Sequence, residues 1–246
     1  MSKTKIILDT DPGNDDLLAI IMALKSELID IRGMTIVGGN ASLENTTNNA
    51  LSLLTYMNRV DVSVYVGDPS ALNESSTSPE EFDEFKSHRI EIHGETGLHV
   101  PLPSPSIEPK KMHAVDFIIS EAESNKGDLI LVPIGPLTNI AMAIKKEPNL
   151  RNCIKCIHLM GGAVNVPGNV TEHAEFNVYC DPVAANEVMS SGIEIKLCGL
   201  DITRETSVKR EETSWLNGNS PGEQIIRQLL DTVFKKIPDR NYFSLH

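Results

Sequence analysis

Short apolar segments recur along the chain, alternate with amphipathic segments, and end in acidic, amide or glycine residues. This alternation constrains the fold most strongly, because strands that alternate with helices build a mostly parallel sheet. The predicted strands are residues 4–8, 30–37, 62–66, a run beginning at 128, 153–160 and 193–198. The predicted helices are residues 15–27, 43–59, 112–125, 138–146, 182–190 and 221–236. We therefore predict an α/β fold with an open, mostly parallel sheet, helices on both faces, and a single domain over 1–246.

The first predicted strand runs into an unusually acidic turn, Asp9-Thr-Asp-Pro-Gly-Asn-Asp-Asp16. Asp15 and Asp16 fall in the first turn of a predicted helix, where the helix dipole favours carboxylates. Asp9 and Asp11 precede that turn, so the dipole does not account for them. In parallel sheets ligands bind beyond the carboxyl ends of the strands. Acidic, amide and glycine residues lie at five such ends: 9–16, 39–40, 134–135, 160–162 and 200–201.

The charge of the chain narrows the class of partner. The formal net charge is −12 and no basic cluster is present, which argues against nucleic acid and anionic membranes as partners. A dense carboxylate cluster instead suits a divalent cation. The sequence shows no secretory signal and no membrane-length apolar run, so we expect a cytoplasmic protein. Residues 69–110 form a long connection, which in a compact domain is usually functional or mobile.

The four cysteines are consistent with a cytoplasmic protein. Cys153 and Cys156 form a C-x-x-C, the spacing of some zinc and redox sites. They sit in an apolar, strand-like segment, and Cys180 and Cys198 stand alone. We therefore interpret all four as small buried hydrophobic residues.

The chemistry that the acidic turn permits is hydrolysis. The phosphate-binding loop, the dinucleotide fingerprint and the nucleophile elbow are all missing from the sequence. Carboxylates that hold a hard cation beside a carboxylate base can generate a water nucleophile. The remaining Asp and Asn side chains suit hydroxyl groups. The residues by themselves predict a metal-assisted hydrolase of a small polyhydroxy substrate.

The acidic turn resembles the D-x-D-x-G-x-D-D signature of the calcium-dependent nucleoside hydrolases, the inosine–uridine-preferring group. The resemblance covers essentially the whole chain, because further blocks follow in the family's order. These blocks are Val37-Gly-Gly-Asn40, His93-Gly-Glu-Thr-Gly-Leu98, Val132-Pro-Ile-Gly-Pro-Leu-Thr-Asn-Ile-Ala141, Met160-Gly-Gly-Ala163, Gly168-Asn169, Ala174-Glu-Phe-Asn-Val-Tyr-Cys-Asp-Pro182 and Gly199-Leu-Asp201.

The resemblance implies a set of metal and catalytic residues. Asp11 and Asp16 would bind Ca²⁺ together with the backbone carbonyl of Ile134. Asp11 would also be the base for a calcium-bound water, and the reaction would yield ribose and a nucleobase through an oxocarbenium-like transition state. Asp9 would be structural.

The resemblance also implies a set of substrate residues for a ribonucleoside. Asp15, Asn40 and Asn177 would bind the 2′- and 3′-hydroxyls, and Asn169 and Glu175 the 5′-hydroxyl. Met160 would line the sugar face, and His93 would lie near the base on a mobile loop. Trp215 and Tyr242 are candidates for base contact, although Trp215 fits simple packing equally well, and base preference is not readable. The family commonly forms homodimers or homotetramers, so we expect a homo-oligomer.

Simpler roles exist for several of these residues. Asp16 could be only a helix N-terminal charge, and Asn40 could cap the 43–59 helix. Glu175 and Asn177 could be surface residues; two positions apart on a predicted extended segment, they would share a face. Asn169 could be a turn residue after Gly168.

The chain departs from the family pattern at its C-terminus. The family has a His-Asp pair there, in which the His protonates the leaving base and the Asp binds calcium. His246 aligns with that histidine, but the Asp and the family's usual C-terminal segment do not follow. We therefore expect a short form of the family's enzymes that binds calcium more weakly and in which His246 protonates the leaving base poorly.

Two other functions compete with this interpretation. One is a catalytically impaired paralogue, or a truncated form, that binds nucleosides or ribose without turnover. The other is a haloacid-dehalogenase-type phosphatase, suggested by the D-x-D of the acidic turn. Such phosphatases need a Thr or Val shortly after the second Asp, where Pro12 and Gly13 stand here.

Overall fold

The computed structural model describes residues 2–69, 71, 72, 90, 94–216, 218–236 and 242–244. Within them lies a six-stranded sheet in the order β3-β2-β1-β4-β5-β6, and every neighbouring pair is parallel. The strands are β1 Thr4–Thr10, β2 Ile29–Ile36, β3 Val64–Val66, β4 Leu129–Pro133, β5 Ile154–Met160 and β6 Ile195–Cys198. The predicted parallel α/β sheet is confirmed.

Helices cover both faces of the sheet, as predicted. They are α1 Asp16–Lys25, α2 Leu43–Tyr56, α3 Ala114–Ser124, α4 Thr138–Lys146, α5 Phe176–Cys180, α6 Pro182–Met189, α7 Leu200–Thr203 and α8 Pro221–Lys236. One apolar core joins α1, α2 and α8, and a second joins α3, α4 and α6. The sheet lies between the two cores.

The strand order creates a crevice in the middle of the sheet. The chain passes from β1 outward to β2 and β3, crosses back, and then passes from β4 outward to β5 and β6. The order therefore reverses between β1 and β4, and ligands of open α/β sheets bind at such a switch point. The acidic turn follows β1 and Ile134 follows β4, so both open onto this crevice.

The observed boundaries change the position of two acidic residues. β1 extends two residues beyond the predicted strand, so Asp9 lies inside it and pairs with Thr35 and Pro133. α1 begins at Asp16, and Asp15 occupies the N-cap position. Burial of the strand end against β2 and β4 overrides the polar character of the sequence there.

One predicted conformation is wrong. The segment with Glu175 and Asn177 was expected to be extended, but Phe176–Cys180 is a short helix, with Glu175 at its N-cap. The Glu175 carboxylate accepts from the backbone N–H groups of Asn177 and Val178, which favours the helical turn.

Smaller elements were not predicted. They are α5, α7, 3₁₀ turns at Pro148–Asn152 and Arg210–Trp215, and an antiparallel pair formed by β7 Ser207–Lys209 and β8 Tyr242–Ser244. Each is shorter than the windows in which apolar periodicity is readable. Cys153 and Cys156 are buried, as predicted, whereas Cys180 and Cys198 are partly exposed, so the prediction of full burial is wrong for these two. Over the described ranges, helices lack the length and apolarity needed to cross a bilayer.

Candidate functional site

Asp16 is held by groups of the acidic turn itself. The hydroxyl of Thr10 donates to Asp16 Oδ1 at 2.8 Å, and the backbone N–H of Gly13 donates to Oδ2 at 2.9 Å. These bonds fold the turn back on the first residue of α1. Asp16 is therefore more than a helix N-terminal charge, because its carboxylate organises the turn.

Asn40, which follows β2, joins the two central carboxylates. Its backbone N–H donates to Asp11 Oδ2 at 2.7 Å, and its side-chain amide donates to Asp16 Oδ2 at 2.8 Å and to the backbone carbonyl of Asp11 at 3.1 Å. The simpler role as a helix cap is wrong, since Ser42 caps α2. Asn40 thus lies in the candidate site.

Two glycines leave room for the Asp11 carboxylate. A Cβ at Gly39 would collide with Asp11 Oδ2, and a Cβ at Gly135 would collide with Asp11 Oδ1. Asp11 is fully buried, and its Oδ1 has no hydrogen-bond partner among the described residues. A buried carboxylate oxygen without a donor is costly, which marks this atom as a point for a ligand.

The electrostatics of the turn favour a cation. Burial raises the pKa of Asp11 well above its ordinary value, and the neighbouring charge of Asp16 raises it further. Burial also raises the pKa of Asp16. Burial and the charge of Asp16 raise the pKa of Asp15 to about 8, and Glu175 contributes to that rise. A positive charge placed among these groups would relieve both the desolvation and the mutual repulsion.

Asn177 forms the opposite wall from helix α5. Its side-chain amide lies 3.2 Å from the carbonyl oxygen of Ile134, 3.3 Å from that of Met160 and 3.4 Å from Met160 Sδ. The predicted site residues at the carboxyl ends of β4 and β5, Ile134 and Met160, are thereby brought together by one side chain.

Glu175 is buried beside Asn177, although it is an acid. Its carboxylate accepts from the backbone N–H groups of Gly162 at 2.9 Å and of Asn177 at 2.9 Å. Asn169 lies close by, on an exposed turn, and its Oδ1 accepts from the N–H of Phe176 at 2.9 Å. Asn169 is therefore a turn residue, as in the simpler interpretation, and it also lies at the edge of the candidate site.

Asp9 faces away from these groups, within the sheet. Thr35 Oγ1 donates to Asp9 Oδ2 at 3.0 Å, and the amide of Asn139 donates to both carboxylate oxygens at 3.1 and 3.3 Å. The same amide reaches the carbonyl of Ile36 at 3.1 Å. Asp9 thereby ties the ends of β1 and β2 to helix α4 from behind the turn.

Four of the predicted residues are not among the groups described above. His93, His246 and the side chain of Trp215 are outside the described residues. Tyr242 is half exposed in β8 and pairs with Lys209.

Sequence reasoning missed Thr10, Asn49 and Asn139 as partners of the acidic turn. The signal for Asn139 was its place in the 132–141 block, whereas nothing distinguished Asn49 among the asparagines of α2.

The donor set fits a hard divalent cation. Asp11, Asp16 and the carbonyl of Ile134 offer oxygen ligands only, which is the preference of Ca²⁺ and Mg²⁺. The described residues hold no cluster of three or more acidic, histidine or cysteine side chains arranged for a metal. Water and substrate oxygens would thus have to complete a shell of about six to eight ligands.

A family model described as inosine-uridine preferring nucleoside hydrolase matches residues 6–245. A pyrimidine-specific ribonucleoside hydrolase, RihA, from Shewanella woodyi is 40% identical over 228 residues, which cover 92% of this chain and 70% of that protein. RihB, a pyrimidine-specific ribonucleoside hydrolase from Escherichia coli, is 42% identical over 207 residues, or 84% of this chain and 62% of that protein.

Solved structures resemble the fold closely. A purine-preferring ribonucleoside hydrolase from Gardnerella vaginalis superimposes with a TM-score of 0.88 at 34% identity, over 98% of this chain and 77% of that one. A plant nucleoside hydrolase, PpNRh1, superimposes with a TM-score of 0.86 at 31% identity, over 99% and 76%. The relatives with assigned base preference thus include both pyrimidine and purine enzymes.

Proposed function

The chain belongs to the inosine–uridine-preferring nucleoside hydrolase family, and on that basis we propose that it hydrolyses the N-glycosidic bond of ribonucleosides. Water would attack C1′, the C1′–N bond would break, and its electron pair would leave with the nucleobase. The products are ribose and the nucleobase. The haloacid-dehalogenase-type alternative loses its support, because the family match accounts for the acidic turn and for the later blocks together.

One observation carries the proposal: Asp11 Oδ1, at the switch point of the sheet, has no hydrogen-bond partner within the part of the chain that the structure describes. The atom is buried, is crowded by Asp16, and lies where a Cβ on Gly135 would collide with it. A carboxylate in such a place is a strong base once deprotonated. We assign Asp11 as the residue that takes the proton of the attacking water.

Other side chains would orient the sugar. Asp15 is half-buried at the N-cap of α1, and its carboxylate suits a pair of vicinal hydroxyls together with Asn40 and Asn177. Glu175 and Asn169 lie together at the far edge, where a 5′-hydroxyl would reach them. The carboxylates around the sugar favour the positive charge that develops on it in the transition state.

The proposed cofactor is Ca²⁺, held by Asp11, Asp16 and the carbonyl of Ile134. When bound, it would supply a Lewis acid that eases deprotonation of water and fixes sugar hydroxyls. The chain's own part is to keep these oxygens in place, which Thr10, Gly13 and Asn40 do through their hydrogen bonds to Asp16 and Asp11. His246 is the proposed acid for the departing base, and His93 is proposed to lie near that base.

The test is ribose release from inosine and from uridine by the purified chain, with Ca²⁺ and then with excess chelator. Chelator-sensitive release is the expected result. If neither nucleoside releases ribose while both still bind in calorimetry, the binding-only alternative is correct and hydrolysis by this chain is wrong. A homodimeric or homotetrameric state and a cytoplasmic location remain predictions of the sequence.

A further inference from the structure

A second segment is fastened to the acidic turn by one buried amide. Asn49, on α2, is 5% exposed, and its Nδ2 donates to the carbonyl of Pro12 at 3.0 Å and to the carbonyl of Thr96 at 2.7 Å. Pro12 stands in the middle of the acidic turn. Thr96 belongs to residues 94–100, which we name the overlying loop.

The overlying loop lies close against the site along its length. Gly97 adopts a left-handed φ of 83°, and a Cβ there would lie 3.2 Å from that of Ala41 and 3.6 Å from the carbonyl oxygen of Asn40. The backbone N–H of His99 donates to Asn14 Oδ1 at 2.8 Å, and Val100 is buried in the core of α1 and α2.

The two hydrogen bonds of Asn49 depend on each other. Both leave a single amide nitrogen, so the Pro12 and Thr96 carbonyls must keep a fixed separation. Pro12 lies between Asp11 and Gly13, whose N–H binds Asp16 at 2.9 Å. A shift of the loop therefore acts on the segment that orients both central carboxylates.

We propose that Asn49 is a positioning residue that locks the overlying loop to the acidic turn and thereby sets the placement of Asp11 and Asp16. Its significance for catalysis rests on the proposed function, whereas the lock itself does not. The hydrogen bonds described for the Asn49 amide go to the carbonyls of Pro12 and Thr96 rather than to Asp11 or Asp16, so its effect on the carboxylates passes through Pro12 and Thr96.

The chain offers a matched control one helical turn earlier. The amide of Asn45 donates to the carbonyl of Glu95 at 3.0 Å, so it holds the same loop. It makes no bond to the acidic turn among its described contacts. Asn45→Ala therefore removes a tether of the loop alone. Asn49→Ala removes the bond that joins Thr96 to Pro12 through one amide and leaves the bond between His99 and Asn14 in place.

Hydrogen exchange followed by mass spectrometry tests the lock without any need for turnover. In metal-free protein, Asn49→Ala should speed exchange at least about threefold in peptides covering residues 10–17 and 94–100, because each lost hydrogen bond contributes about that factor or more. Asn45→Ala should speed exchange in 94–100 only. If Asn49→Ala leaves residues 10–17 unchanged, or if the two variants behave alike, the lock is wrong.

Kinetics separate positioning from simple support. With saturating Ca²⁺ and a series of nucleoside concentrations, Asn49→Ala should lower kcat about tenfold, because Asp11 is misplaced, while Asn45→Ala should change mainly KM. The hydroxyl of Asn49→Ser has one hydrogen and can keep one of the two bonds, so its kcat should lie between those of wild type and Asn49→Ala. This variant replaces Asn49→Ala if the alanine variant does not fold. Equal kcat in all three variants would overturn the positioning role. An inactive wild type would overturn the proposed function and leave exchange to decide the lock.

Discussion

The side-chain amide of Asn40 donates a hydrogen bond of 2.8 Å to Oδ2 of Asp16. This bond stabilises the negative charge of Asp16 beside the other carboxylates of the acidic turn. The two residues are 24 positions apart, on consecutive strand–helix units. The contact makes the end of β2 a structural part of the site that follows β1.

Replacing Asn40 with aspartate should test that contact. Asn40→Asp removes the donor to Asp16 and adds a like charge beside two buried carboxylates, so kcat/KM should fall about a hundredfold. The measurement is steady-state ribose release. Asn48→Asp, an exposed position on α2, adds the same charge away from the site and should leave activity within about twofold, since exposed surface substitutions have small effects. Similar losses in both variants would point to net charge rather than to the contact.

Asp11→Asn should keep the shape of the side chain and remove its basicity. Calcium affinity, measured by calorimetry, should drop, because a carboxylate ligand is lost. Turnover should fall about a thousandfold, the scale of a missing general base. A variant that binds Ca²⁺ weakly yet retains near wild-type turnover at saturating metal would contradict the assignment of Asp11 as the base.

Asp9→Ala should cost mainly stability. It removes the acceptor of the Thr35 hydroxyl and of the Asn139 amide in a fully buried place, so unfolding should require about 2–3 kcal/mol less. Chemical denaturation measures the loss, and calorimetry on the folded variant should still detect Ca²⁺. Loss of metal binding equal to that of Asp11→Asn would refute this division between the two acids.

A methyl group beside Asp11 should impair the site without disturbing the fold. Gly39→Ala places its Cβ against Asp11 Oδ2, whereas a Cβ at the adjacent Gly38 would meet nothing nearer than 3.6 Å. We expect Gly39→Ala to lose at least about tenfold in activity, because the Asp11 carboxylate must move away from the added methyl group. Gly38→Ala should stay close to wild type. Thermal unfolding of both variants checks that the difference arises at the carboxylate.

Glu175→Gln should change how stability depends on pH. Burial raises the pKa of Glu175 above its ordinary value of 4.5, against the opposing effect of its backbone hydrogen bonds. Because the pKa of Glu175 is higher in the folded than in the unfolded state, its protonated form contributes to folding stability, fully so below pH 4.5. That contribution to the free energy of unfolding is lost as the pH rises through the folded-state pKa. The glutamine variant should therefore lose less stability over that rise. Denaturation across a pH series, with the exposed Glu172→Gln as control, should show the difference; parallel profiles for all three proteins would contradict it.

Much of the fold could be predicted because the strands are apolar runs broken by glycine or acidic turns. Helices α4 and α8 were predicted with the residues observed, since long amphipathic periodicity is the most readable signal. Short elements such as α5 were not, because the capping carboxylate of Glu175 and its tertiary contacts decide them. The prediction of an extended segment at Glu175 and Asn177 was wrong for that reason.

The site was partly predictable for a different physical reason. Parallel strands place their carboxyl ends at one edge, so Asp11, Asn40 and Asn177 could be expected to converge. Which atom bonds to which could not be read from the sequence. Asn139 bonds Asp9 across 130 positions, and such a contact depends on the register of the whole sheet.

The placement of Asp9 in the central strand has a consequence for the order in which the molecule forms. One of its partners, Thr35, is 26 residues away, and the other, Asn139, is 130 residues away. During synthesis, Asp9 and Thr35 are therefore both present before Asn139, whose amide completes the hydrogen bonding of the Asp9 carboxylate. Contacts of such long separation form slowly, so the arrival of β4 and α4 beside β1 should be a late step in assembling the nascent protein, and the support of Asp9 should be complete only then.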